Sequence, residues 1–185
     1  MQKGFWGNFW RWLTGGSKPP VMPTPPLSVP DASETRLRLL RLHNEQRQAH
    51  GVPPITMNEQ LNVAAQGHAD TMARLRRMSH DAGGTNFQER VRGAGYQFSR
   101  GGENIAAGQR TPEDVVRAWM NSSGHKQNIL NAYWWHVGFG VAWGGNRLYW
   151  CTVFAAPSRR DTACAELILP GGMEELDVGS QDPRP

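Results

Sequence analysis

Apolar residues recur at helical spacing through most of the chain and at strand spacing only late in it. Asp31 and Glu34 form a D-x-x-E capping box before Leu37 and Leu40, predicting a helix that Gly51 and Pro53-Pro54 end near His50. Asn58 caps a second predicted helix, with Leu61, Ala64, Ala65, His68, Met72 and Leu75 on one face. A short helix is expected over Phe87 to Arg92. Thr111-Pro112-Glu113-Asp114 is a strong start for another, carrying Val115, Val116, Trp119 and Met120. His136 to Trp143 and Leu148 to Phe154 read as two strands joined at Gly144-Gly145-Asn146, an antiparallel hairpin. Glu166-Leu-Ile-Leu169 could add a short strand. No βαβ rhythm argues for a parallel sheet.

Composition divides the 185 residues further. Residues 1–13 are aromatic and amphipathic, with positions 5, 6, 9, 10 and 13 on one face at helical spacing. They fit a secretory signal poorly, because Gly7, Asn8 and Arg11 interrupt the apolar run, and suit a membrane interface better, with a partner-docking peptide or a disordered start as the alternative. Residues 14–32 form a Pro-rich linker with a reach of roughly 50 Å. Residues 33–156 are the expected domain. Residues 157–185, with three bases against six acids, are expected to be a loose extension. No run approaches 18 apolar residues, so no transmembrane helix is expected. The net charge of +4 is mild and does not demand nucleic acid.

Chemistry concentrates in three polar stretches beside glycine: Met78-Ser79-His80, Gly102-Glu103-Asn104, and Ser122-Ser123-Gly124-His125. There the backbone is expected to approach a ligand closely. Together with Leu42-His43-Asn44-Glu45-x-Arg47, Arg90-Val-Arg-Gly-Ala-Gly95-Tyr96, Trp119-x-x-Ser122, Asn128-Ile129-Leu130, Val137-Gly-Phe-Gly-Val141 and Tyr149-Trp150, they make the chain resemble the CAP superfamily, or SCP domains (cysteine-rich secretory proteins, antigen 5, pathogenesis-related proteins), in its bacterial branch.

The resemblance covers about residues 33–156 and implies an α+β fold: a three-layer α-β-α sandwich around an antiparallel sheet. It implies a cavity with two histidines, His80 and His125, able to hold zinc or another divalent metal weakly. Glu103 is the one acid of the family's pair, and a tentative base. The second acid is replaced by Ser122, which weakens any two-carboxylate mechanism. Ser122 and Asn104 are placed in the cavity. His43 and Asn44 are read as structural, hydrogen-bonding from the first helix to loops. His68 is read as a packed core or rim residue, and Trp119, Trp134, Trp135, Trp143 and Trp150 as core and sheet packing. Arg74, Arg76 and Arg77 read as a solvated helix end.

A returning strand could pair Cys151 with Cys164 in a disulfide, closing a loop worth roughly 3 kcal/mol in the chain-entropy model; the alternative is two unpaired thiols in a reducing compartment. The implied function is an extracellular or cell-envelope binding module for a lipid, peptide or cell-wall ligand, with membrane contact through residues 5–13 and no nucleic acid. The alternatives are a metal-assisted, peptidase-like hydrolase using His80, Glu103 and His125, and a structural envelope or particle component. The loss of the second acid tilts the reading away from an enzyme.

Overall fold

The computed structural model describes residues 31–158. Its elements run α1 (Ala32–Ala49), β1 (Thr56–Met57), α2 (Glu59–Leu75), a 3-10 turn (Ala82–Gly84), α3 (Phe87–Gly93), β2 (Phe98–Ala107), α4 (Pro112–Met120), α5 (Ser123–Ile129), β3 (His136–Gly144) and β4 (Arg147–Pro157). The sheet order is β1-β3-β4-β2. β4 runs antiparallel to β3 and β2, and the two-residue β1 lies parallel to β3. The caps are largely those the sequence signals. Asn58 accepts from Leu61 N, and Thr111 from Asp114 N. Asp31 accepts from Ser33 N, in place of the expected reciprocal box with Glu34.

Strand alternation sorts the side chains into two cores. On one face Leu61, Ala65, Ala69 and Met72 of α2, with Val91 of α3, bury Ile105, Cys151 and Val153. On the other Leu39, Val116, Trp119 and Ile129 bury Phe139, Val141, Trp150 and Phe154. The α-β-α sandwich follows. α2 lies directly on the backbone of β3: a Cβ added to Gly138 would stand 2.1 Å from the carbonyl carbon of Leu61, and one on Gly140 2.3 Å from Ala65 O. The alanines of α2 and the glycines of β3 together permit that approach.

β1 covers only one end of β3, so most of that strand is a sheet edge. Side chains close it. Asn62 Oδ1 accepts from Phe139 N at 2.9 Å, and Gln66 both accepts from Val141 N (3.3 Å) and donates to Val141 O (2.8 Å). Two amides thus imitate a neighbouring strand and blunt the edge.

Several expectations are corrected. β2 occupies a stretch to which the sequence assigned no element, because its first half is polar and exposed. Its glycines do not open toward a ligand: Phe87 fills the space over Gly101, and Asn128 and Trp134 the space over Gly102. Ser123–Ile129 forms a helix that carries His125 and that the sequence reading did not assign. Trp119, Trp134 and Trp150 are buried, but Trp135 and Trp143 are exposed. Asn44 does bridge to a loop, exchanging bonds with Ile55 N and O, whereas His43 bonds its own helix through Leu39 O at 2.8 Å. Cys151 is buried on β4 and has no disulfide partner among the described residues; the other half of the expected pairing is not among them. Cys164, residues 1–30 and the proposed strand at 166–169 lie outside the described residues.

His43 packs its ring against Trp119, Phe139 and Phe154, and burial pushes its pKa down to about 4. The unfolded chain therefore binds a proton between about pH 6.5 and 4 that the folded chain excludes, so His43 makes stability fall as pH falls through that window. Its share between pH 7.5 and 5 is on the order of 2 kcal/mol. Urea denaturation of wild type and His43→Phe at both pH values checks this. A slope unchanged by the substitution would remove the assignment.

Candidate functional site

β2 is the outer strand on the far side of the sheet, and the site wraps around its edge. Glu103 points into the α2–α3 layer, with its side chain 3% exposed. A buried carboxylate requires partners, and four groups converge on it. His80, in the segment between α2 and the 3-10 turn, places Nδ1 2.7 Å from Oε1. Arg90 of α3 donates from Nη2 to Oε2 at 2.7 Å. Cys151 Sγ donates to Oε2 at 3.5 Å. His68 Nε2, fully buried on α2, stands 3.8 Å from Oε1. Arg90 also donates to the carbonyls of His80 (3.0 Å) and Thr85 (2.6 Å), so one guanidinium holds both the acid and the loop that carries the histidine.

Asn104, next on β2, points to the other face. It donates to His125 O at 3.0 Å and accepts from Asn128 Nδ2 at 2.9 Å. Asn128 also donates to Glu103 O at 3.2 Å. These amides tie α5, and with it His125, to the strand bearing Glu103. Arg47, fully buried on α1, donates to the carbonyls of Ile129 and Asn131 (2.8 and 2.9 Å), anchoring the other end of α5.

The electrostatics follow from this arrangement. Burial would raise the Glu103 pKa, but the hydrogen bond from His80 and the charge of Arg90 outweigh it and hold the carboxyl below its ordinary range. The Glu103 bond raises His80. Burial, then the nearby charge of His80, lowers His125. Burial is also the main cause lowering His68 and raising the Cys151 thiol. His80 is consequently cationic more readily than His125, and the two imidazoles disfavour double protonation.

The sequence-predicted residues His80, Glu103, His125 and Asn104 thus come together around one edge strand. Ser122 precedes α5, but its hydroxyl caps nothing and makes no bond to either histidine among the described contacts. Glu113 and Asp114 are engaged elsewhere, by Arg38 and Arg117. Sequence reasoning gave no role to Arg90, Asn128 or Cys151 in this cluster and placed His68 only in packing. Nothing in the spacing of α3 says which of Arg90 and Arg92 turns inward.

No group of three or more His, Cys, Asp or Glu side chains suited to a metal ion occurs among the described residues. With His80 Nδ1 engaged by Glu103, the donors left are His80 Nε2 and the His125 ring. That set fits a weakly held divalent cation, whose remaining positions would be open.

Comparison with known proteins agrees with this architecture. YkwD of Bacillus subtilis is 37% identical over 111 residues, which span 59% of this chain and 43% of YkwD. Human Golgi-associated plant pathogenesis-related protein 1 is 32% identical over 87 residues, 45% of this chain and 47% of that protein. The chain therefore spans less than half the length of these relatives. An extracellular SCP-domain protein of Bacillus anthracis superposes with a TM-score of 0.60 at 26% identity, covering 67% of this chain and 41% of that one. An outer surface protein of Borrelia burgdorferi gives 0.64 at 22% identity, covering 69% and 96%, a likeness of fold. The model of the cysteine-rich secretory protein family, CAP, matches residues 40–155, and this chain belongs to that family.

Proposed function

We propose that the chain is an extracytoplasmic binding module whose His80–Glu103–His125 cavity takes a divalent cation such as zinc, and through it an anionic or carbonyl-bearing ligand. The observation that carries the reading is the commitment of Glu103. With both oxygens occupied by His80 and Arg90, it fixes the orientation of His80 and leaves Nε2 of a ring whose side chain is 59% exposed to meet a ligand. A bound cation supplies Lewis acidity. His80 and His125 hold it, Glu103 orients His80, and the Asn104–Asn128 pair holds the helix carrying His125. The extracellular and outer-surface relatives support the placement outside the cytoplasm.

A hydrolase would need Glu103 as its base, and a general base works best with a pKa near the operating pH. The carboxyl is shifted the other way and is sealed from solvent. Ser122 lacks a base within hydrogen-bond reach. Binding is therefore preferred to catalysis.

Calorimetric titration of the chain with zinc at pH 7.5 is expected to give about one equivalent, lost in His80→Ala and in His125→Ala. Zinc must displace the proton from His80, so affinity is expected to fall as pH drops through the raised His80 pKa. No binding at pH 7.5, or binding that survives both substitutions, would overturn the proposal.

A further inference from the structure

One end of the molecule is strongly basic although the whole chain is not. The C-terminal turn of α2, the β3–β4 hairpin tip and the segment after β2 meet there. Gly145 of the hairpin lies under Arg76, whose Nε would be 3.5 Å from a Cβ at that glycine. Gly108 N donates to Leu148 O, and Trp150 Nε1 donates to Gln109 O, which brings Arg110 beside the same hairpin. Arg74, Arg76, Arg77, Arg110 and Arg147 are all exposed at this end. Arg77 pairs with Asp81 at 3.6 Å. The other four have no carboxylate partner among the described residues. The nearby acids are engaged: Asp70 by Gln66, Glu113 by Arg38, Asp114 by Arg117.

A cation in the last turn of α2 complements the helix dipole, which accounts for Arg74. It does not account for Arg110 and Arg147, which lie on other elements. Arg76 adopts φ +51°, a left-handed cap where glycine is easier, so a charged side chain is kept at a backbone cost. Large apolar groups accompany the charges: Leu75 is 43% exposed and Trp143 37% exposed. Arginines interspersed with an exposed tryptophan and leucine match the headgroup region of an anionic bilayer.

We infer that this end docks on an anionic lipid surface, the guanidiniums meeting headgroup phosphates and Trp143 and Leu75 entering the interface. A soluble polyanion would satisfy the arginines but leave the apolar groups in water.

The test is sedimentation of the full chain with vesicles of phosphatidylcholine containing phosphatidylglycerol. Wild type is compared with Arg74→Gln/Arg110→Gln/Arg147→Gln and with a charge-matched control, Arg41→Gln/Arg92→Gln/Arg100→Gln, placed elsewhere on the surface. Binding is expected to weaken roughly 100-fold in the first triple variant and to change little in the control, since each arginine near an anionic surface contributes a few-fold. It is also expected to weaken steeply with salt. Equal losses in both triples would reduce the effect to net charge and overturn the assignment. So would no loss in the first triple, no binding by wild type, or full competition by polyphosphate at equal charge. Circular dichroism of all three proteins establishes that each is folded.

Discussion

Glu103→Ala is expected to destabilise the chain by about 3–5 kcal/mol, the range for removing one partner of a buried ion pair. Arg90, whose side chain is 10% exposed, would keep its charge and its two backbone carbonyls but lose the carboxylate that neutralises it. His68, fully buried and 3.8 Å from the carboxylate, would lose its nearest charge. Urea denaturation at pH 7 measures the cost; a loss below about 1 kcal/mol would show that water replaces the carboxylate and that the hub is not structural. Glu103→Gln keeps the shape but not the charge, and should fall between wild type and alanine.

The same substitution tests the site's electrostatics. With metal removed by chelator, the His80 pKa read by NMR should fall toward the ordinary histidine value in Glu103→Ala, because the bond that raises it is gone. The raised His80 pKa gives stability that is complete at low pH and is lost as pH rises through that value. The lowered Glu103 pKa gives stability that is complete above the carboxylate range and is lost as pH falls through it. The pair is therefore strongest in the acidic-to-neutral window between them.

Gly140→Val is expected to be comparably damaging, at about 3 kcal/mol or more, through overpacking. A side chain there would enter the carbonyl of Ala65, which is helix backbone and cannot rotate away. Either α2 lifts from the sheet, opening the core around Leu61 and Met72, or β3 leaves its register with β4. Thermal unfolding measures the loss. Gly67→Ala supplies the contrast: nothing lies within 4 Å of its added Cβ. It should be neutral or slightly stabilising, because alanine is the better helix former. Similar losses at the two positions would refute the packing argument.

Much of this architecture was legible along the chain because the signals are local. Asn58 and Thr111 cap the helices they precede, and the Val137–Val141 and Leu148–Phe154 strands carry their own alternation and turn. The motif order implied the family, and with it His80, His125 and Glu103 as neighbours. β2 was not legible, because an edge strand needs no apolar side chains where it is exposed, and Phe98-Ser-Arg-Gly-Gly carries no strand alternation. The glycines of β3 read as strand punctuation along the chain; their role as the floor on which α2 lies is a tertiary one.

By itself the sequence determined the capped helices, the β3–β4 hairpin and which polar residues are available, since caps, turns and periodicity act over a few residues. Only the tertiary structure decided that Glu103 sits between His80 and Arg90 with Cys151 and His68 behind it. The same holds for the amides of Asn62 and Gln66 that close a sheet edge, and for the arginines from three separate elements that share one end. Each of these depends on which face of a strand or helix meets which neighbour across 13 to 77 positions of chain, and burial, not local preference, selects that pairing.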